Sequence, residues 1–127
     1  MGDVMKKGLQ GLGLLVSACF SMSVVAHEHV QVKSWTPTSK LVGKVEAILR
    51  MPAGTTLSSY ARYYYGQISH SHRMLMGEFV LSSNAPGVHI VTPEEAPKIL
   101  DGGCSLIDLK YDVEKKVVVD LSCNGVS

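Results

Sequence analysis

Apolar and polar positions divide the chain into three zones. The first is a run without charge, from Gly8 to Val25, that directly follows Lys6 and Lys7. The second is a segment in which apolar residues recur every three or four positions, as on one face of a helix. The third begins near residue 60 and consists of short segments of alternating apolar and polar residues, which is typical of strands. The pattern therefore predicts an export segment, one helix and a sheet.

The predicted helix covers residues 38–50. Its apolar residues form a single stripe, consisting of Leu41, Val45, Ile48 and Leu49. Thr36 and Pro37 form a helix-start signal, because threonine caps a helix and proline suits its first position. Pro52 ends the helix, since the residue before a proline is steered away from helical geometry.

Several segments beyond the helix have the composition of strands. Three consecutive tyrosines within 60–65 favour a strand, because aromatic residues pack well on a pleated surface. Further strands are predicted over 73–82, 88–91, 104–111 and 116–123, and the polar stretch 66–72 is predicted to be a turn. The fold class that follows is α+β: one N-terminal helix packed on an antiparallel sheet of four or five strands that ends in a disulfide-bridged hairpin.

The last two predicted strands form a hairpin that places two cysteines side by side. Residues 112–115 make the connection, so Tyr111 faces Lys116 and, in the same register, Cys104 faces Cys123. Directly opposed residues of an antiparallel pair come close to disulfide geometry. A disulfide between them is therefore predicted, worth about 3 kcal/mol in the chain-entropy treatment. The alternative is two buried free thiols.

The first zone has the composition of a signal peptide. A basic and then an apolar region precede Ala26, and Val24 with Ala26 gives the small-residue pattern after which signal peptidase cuts. We predict a signal peptide over 1–26, an N-terminal arm over 27–36 and a single domain over 37–127. A membrane anchor is the weaker alternative, because glycines and serines interrupt the apolar run.

A second processing route starts from Cys19. The sequence Val16-Ser17-Ala18-Cys19 looks like a bacterial lipobox, in which the cysteine is acylated and becomes the first residue. An acyl chain there would hold the protein to a membrane face. Because the stretch after Cys19 is mostly apolar, it fits the end of a signal peptide better than a lipoprotein tether. We favour cleavage after Ala26 and expect membrane attachment only if Cys19 is lipidated.

Charge and cysteine content narrow the partners and the compartment. The chain has 12 Lys and Arg against 11 Asp and Glu. Loss of residues 1–26 removes Lys6, Lys7 and Asp3, so the mature chain is neutral when its histidines are uncharged. This balance gives no reason to expect nucleic acid or an anionic membrane surface as a partner. Two mature cysteines in an exported chain indicate an oxidising compartment, either the periplasm or the extracellular space.

Cleavage after Ala26 would create a candidate metal site at the new N-terminus. The sequence His27-Glu28-His29 then offers the free amine, two backbone amides and the imidazole of His29, a donor set that binds Cu(II) or Ni(II) in a square plane. His27 adds a second imidazole. The alternative is a polar, solvated chain end. No other cofactor is predicted.

The tyrosine run offers a candidate binding face. Tyr60, Arg62 and Tyr64 would share one side of a strand and could recognise a sugar or a peptide. We favour the alternative in which these residues pack the sheet against the helix. For Arg62 the candidate partners are Glu78, Asp108 or a bound anion.

The remaining histidines and serines form no recognisable catalytic pattern. His70, His72 and His89 lack the spacing of metal ligands and are expected to be solvated or structural. The sequence has no Gly-x-Ser-x-Gly elbow, no Cys-x-x-Cys and no phosphate loop. We therefore predict an exported small protein that acts by binding a protein or an envelope component. A copper- or nickel-binding protein is the runner-up, and a small hydrolase is a more distant alternative.

Three segments resemble those of other proteins: Tyr60 to Tyr65, Asp101 to Ser105, and Cys123 to Gly125. They are similar to segments of small, uncharacterised exported proteins of bacteria, and the similarity extends over most of the mature chain. The resemblance implies a bacterial origin and a shared fold. It implies no activity and no site residues.

Overall fold

The computed structural model describes residues 34–82 and 84–125. Along these residues the elements follow in the order α1 (Ser39–Glu46), a short 3-10 helix (Leu57–Ser59), β1 (Tyr60–Ser69), β2 (His72–Leu81), β3 (Gly87–Ile90), β4 (Gly103–Asp112) and β5 (Val117–Asn124). The five strands form one sheet in the order β3-β1-β2-β4-β5. The predicted α+β class is confirmed, although α1 begins only at Ser39.

The sheet is mixed, whereas an antiparallel sheet was predicted. Strands β1, β2, β4 and β5 are antiparallel neighbours, but β3 runs parallel to β1. The reason is the path of the chain: β2 ends with Leu81 opposite Tyr60, and β3 begins with Gly87 opposite Ala61. The connection thus passes the start of β1 and reaches its other edge, so β3 takes the direction of β1.

The first hairpin is tighter than the sequence indicated. Strand β1 continues to Ser69, so residues 66–69 of the predicted turn lie in a strand. Only His70 and Ser71 form the turn, with φ values of 50° and 65°. Two consecutive positive φ angles are what a two-residue type I′ turn requires, and this turn matches the twist of the flanking strands.

Helix α1 is shorter than the predicted span of 38–50. Thr38 is its N-cap, and the Thr38 hydroxyl accepts a hydrogen bond of 3.2 Å from a first-turn amide. The helix ends at Glu46 because the amides of Ile48 and Leu49 bond carbonyls three residues before them, which tightens the last turn. Leu49 then packs against the core from outside the helix.

Alternation along the strands separates two faces of the sheet. The helix face packs under α1 and carries the main core, composed of Val42, Val45, Tyr60, Tyr64, Leu75, Phe79, Ile107, Leu109 and Tyr111. The rings of Tyr64 and Phe79 meet edge to face at 5.6 Å. The opposite side, which we call the open face, presents Tyr63, Tyr65, Met76, Glu78, Asp108, Lys110 and Asp120. No helix of the described residues covers it.

Trp35 extends the helix face at its far end. The indole nitrogen donates a hydrogen bond of 3.1 Å to the carbonyl of Gln67, and the Arg73 guanidinium lies 5.5 Å from the ring centroid. Gly66 is buried directly beneath, where a Cβ atom would clash with the Trp35 carbonyl and lie 2.7 Å from its ring. Trp35, which the sequence analysis assigns to the arm over 27–36, packs against the sheet.

The predicted disulfide between Cys104 and Cys123 is confirmed, with Cα atoms 4.5 Å apart. The predicted hairpin register is wrong, because Tyr111 pairs with Val118 and not with Lys116. Two register shifts account for the difference, one beside Lys110 and Tyr111, the other between Gly103 and Ile107. After the second shift the pairing agrees again with the predicted register, because Gly103 pairs with Asn124. Cys104 and Cys123 are the next residues inward on the two strands, so the shift brings them together.

The disulfide also bears on the compartment. Such bonds are typical of proteins in oxidising spaces outside the cytoplasm. Within the ranges 34–82 and 84–125, no helix has the length and apolar character needed to cross a membrane.

Substitution of two glycines by alanine tests the packing of Trp35. Gly66→Ala is expected to lower the free energy of unfolding by about 1–3 kcal/mol, because the added methyl group forces Trp35 off the sheet. Gly43→Ala is the matched control: its Cβ meets nothing within 4 Å, and alanine favours the helix by up to about 1 kcal/mol. Urea unfolding followed by circular dichroism measures both. Equal stabilities of the two variants would contradict the packing described.

Candidate functional site

The predicted binding face of Tyr60, Arg62 and Tyr64 is turned toward the helix. All three share one side of β1, as expected, but Tyr60 and Tyr64 are buried in the core. The Tyr60 hydroxyl donates a hydrogen bond of 2.6 Å to the Cys104 carbonyl, which ties β1 to the start of β4. These residues serve packing, the role that the sequence favoured, and they form no exposed recognition surface.

Arg62 is held by Glu46 of the helix. Its Nε lies 2.6 Å from one Glu46 carboxylate oxygen and its second terminal nitrogen 3.1 Å from the other, a bidentate ion pair. Tyr64 donates a hydrogen bond of 2.7 Å to the same carboxylate. Burial, followed by the nearby Glu46 charge, raises the pKa of Tyr64, so its hydroxyl stays a donor.

The candidate partners of Arg62 lie on the other side of the sheet. Arg62 pairs with Phe79 across β1 and β2, so it shares the helix face, whereas Glu78 is the next residue along β2 and points the opposite way. Asp108 faces Glu78 on the neighbouring strand. The suggested pairing of Arg62 with either carboxylate is therefore wrong, because alternation separates them.

The histidines occupy three different settings. His70 lies exposed in the first hairpin turn. The His72 Nδ1 lies 2.9 Å from a carboxylate oxygen of Asp112, and His89 stacks on Tyr63 with ring centroids 5.0 Å apart. His89 thus has a structural contact, as the sequence analysis expected. The proposed metal ligands His27 and His29, and the lipidation candidate Cys19, lie outside the described residues.

A cleft crosses the open face. The segment 97–100 passes over β2 and β4, and the space between them measures about 450 Å³. Its lining combines apolar and charged side chains, contributed by Met76, Glu78, Pro97, Lys98, Ile99, Leu100, Asp108, Leu109, Lys110, Asp120 and Asn124. The cleft exists because the chain returns from β3 to β4 across the open face as a loop.

Two carboxyl groups face each other in this cleft. Glu78 of β2 and Asp108 of β4 are directly opposed across the two strands, so their side chains lie next to each other on the open face. Burial, and then the neighbouring Asp108, raises the pKa of Glu78 to about 8. The Asn124 amide donates a hydrogen bond of 2.8 Å to Asp108. Because burial and a neighbouring carboxylate both disfavour its charge, Glu78 stays largely protonated at neutral pH.

Tyr65 adjoins the carboxyl pair from β1. Burial raises the pKa of Tyr65, and the charges of Glu78 and Asp108 raise it further. Its hydroxyl therefore remains protonated and able to donate a hydrogen bond throughout the physiological range.

Apolar side chains project from the lip of the cleft. The exposed fraction is 84% for Leu100 and 45% for Ile99. Both belong to the 97–100 segment, directly beside the polar floor. An apolar lip over a polar, partly buried floor is the usual anatomy of a binding site.

Sequence reasoning named Glu78 and Asp108 only as candidate partners of Arg62 and did not pair them with each other. Both were within predicted strands. The missing information was that β4 inserts beside β2, a neighbour relation that alternation within each strand does not contain.

The Glu78 titration is directly measurable. Because the folded pKa of about 8 exceeds the ordinary value of 4.5, the stabilisation from the bound proton is complete below pH 4.5. It is lost as the pH rises from 4.5 through 8. Glu78→Gln is expected to be less sensitive to pH across this window in urea unfolding, since its amide stays neutral and can still donate to Asp108.

Glu94→Gln, in the exposed turn after β3, is the matched control and is expected to keep the pH dependence of the wild type. A carboxyl carbon resonance of Glu78 that titrates near pH 4.5 would contradict the raised pKa of Glu78.

Comparison of the chain with protein-family models, with curated proteins and with solved structures found no match.

Proposed function

We propose that the protein is exported, that signal peptidase removes residues 1–26, and that the mature domain is a non-enzymatic binding protein of the periplasm or the extracellular space. Its partner is a protein or a component of the cell envelope. The ligand surface is the cleft between the 97–100 segment and the open face.

Two features of the chain support export. The basic start and the uncharged run to Val25 have the order of a signal peptide, and Ala26 closes it with a small residue. The disulfide between Cys104 and Cys123 requires an oxidising environment to persist.

The main support for a binding function is the exposure of apolar side chains at the lip of the cleft. Leu100 exposes 84% of its surface beside a cleft of about 450 Å³. A large apolar side chain in water contributes nothing to folding, yet its burial by a partner is worth about 1.5–3 kcal/mol. Clustered with Ile99 above a polar floor, it favours a surface that is completed by another molecule.

The polar floor indicates what such a partner presents. Asp108 offers acceptor oxygens, Glu78 holds a proton that it can donate, and Lys98 and Lys110 supply cations at the walls. A partner that places an apolar group against the lip and both donor and acceptor groups toward the floor satisfies this surface. A purely hydrocarbon ligand would cover the half-buried carboxyl groups of Glu78 and Asp108 without offering them a hydrogen bond.

The arrangement of the carboxyl pair favours binding over glycoside hydrolysis, the carboxylate chemistry most familiar in exported proteins. That reaction needs two carboxyl groups about 5 Å or more apart, with the sugar between them. Glu78 and Asp108 instead occupy directly opposed positions on adjacent strands, which places their side chains next to each other with no room for a sugar ring between them.

The intact mass of the protein recovered from its host tests export. We expect the mass of a chain that begins at His27, lowered by the two hydrogens lost in the disulfide, with no thiol open to alkylation. A mass that starts at an acylated Cys19 would instead establish the lipoprotein route. An uncut chain with free thiols in the cytoplasm would overturn the proposal.

Site-specific photo-cross-linking in the exporting cell tests the cleft. A benzophenone amino acid at position 100 is expected to form a discrete covalent adduct with the partner, and the added change Asp108→Ala to lower its yield by removing an acceptor from the floor. The same probe at Ala53, in an exposed loop before β1, is the control and should give no such adduct. Identical adducts from both positions, or none from position 100 in the exported protein, would count against the cleft.

A further inference from the structure

A second group of polar side chains meets at the end of the sheet where β2 begins and β4 ends. His72, Asp112 and Glu114 each direct one ligand atom into this corner, and these atoms all lie within 4.8 Å of one another. His72 Nδ1 and Asp112 Oδ2 are 2.9 Å apart. The three residues come from the start of β2, the end of β4 and the turn after β4, so the fold and not the local sequence brings them together.

Hydrogen bonds from neighbouring backbone and side-chain groups orient both carboxylates. Asp112 accepts a bond of 2.9 Å from the Lys115 amide on Oδ1, which leaves Oδ2 toward His72. Glu114 accepts bonds of 2.6 Å from the Arg73 amide and 2.8 Å from its guanidinium. Bonds of this kind orient the ligands of a metal site, because a carboxylate oxygen keeps a second lone pair.

The corner is open to solvent on one side. The exposed fraction of the side chain is 37% for His72 and 39% for Glu114, whereas Asp112 is buried. A cleft of about 350 Å³ adjoins His72 and Asp112 and is also lined by His70. An ion that enters this cleft reaches His72 and Asp112, the half-exposed Glu114 is accessible from solvent, and water can complete the coordination.

We propose that His72, Asp112 and Glu114 bind a divalent cation of the zinc class. One imidazole nitrogen and two carboxylate oxygens suit Zn²⁺, which takes such ligands at about 2.0–2.2 Å in a tetrahedral arrangement. Donors around such an ion are about 3.5 Å apart, within the range spanned by the three ligand atoms. Small side-chain rotations close the site.

Three cations oppose this ion and limit its affinity. The Arg73 guanidinium contacts Glu114, and Lys110 and Lys115 line the adjoining cleft. Arg73 also rests on the Trp35 ring, so it has a second favourable position if the ion draws Glu114 away. The site does not depend on the proposed function, since it uses none of the residues of the cleft under the 97–100 segment.

Calorimetric titration with ZnCl₂ tests the site, using the exported protein purified without a metal-binding tag. We expect one zinc ion per chain, and His72→Ala to weaken binding by roughly tenfold or more. Glu114→Gln, a change at a half-exposed position that preserves size, is expected to weaken binding as well. Circular dichroism confirms that each variant is folded.

Two histidine variants serve as controls. His89→Ala removes a ring that stacks on Tyr63 away from the corner, and His29→Ala removes the candidate ligand at the mature N-terminus. Both are expected to leave the zinc affinity unchanged. Absence of zinc binding in the wild type, unchanged affinity in His72→Ala and Glu114→Gln, or loss of binding only in His29→Ala would overturn the proposal.

Discussion

A single eight-residue helix can cover only one face of a five-stranded sheet. Strand alternation sends the large apolar residues, led by Tyr64 and Phe79, toward α1, so the core lies on that side. The opposite face must be completed by the loop between β3 and β4 and by polar side chains. The open cleft and its apolar lip follow from this asymmetry, because a loop seals a sheet less completely than a second helix would.

On the covered face, polar contacts add specificity to an apolar core. The Glu46–Arg62 pair is largely removed from water, and the cost of dehydrating both charges offsets much of their attraction. Its geometry is nevertheless exacting, since both carboxylate oxygens and the Tyr64 hydroxyl are engaged. We interpret the network as fixing how α1 lies across β1, while the burial of apolar surface supplies most of the stability.

The two ends of β4 carry different chemistry. At its start, the disulfide between Cys104 and Cys123 closes that end of the sheet covalently. The Cys104 carbonyl also accepts a hydrogen bond from the Tyr60 hydroxyl. At its other end, Asp112 lies beside His72 in a solvent-accessible corner. Asp108, which lines the cleft of the open face, lies between these two ends of β4. A strand anchored at one end can thus support polar sites along its length, since its backbone is held by neighbours on both edges.

The sequence by itself determined the α+β class, most of the strands and the disulfide partners. Alternation and turn residues are local signals that can be recognised within each strand, and the pairing of only two mature cysteines leaves one possible disulfide. The tertiary structure alone decided the parallel direction of β3, the shifted hairpin register and the meeting of Glu78 with Asp108. These features depend on which strands become neighbours. Glu78 and Asp108 belong to strands separated in the chain by β3, and only the insertion of β4 beside β2 brings their charges together.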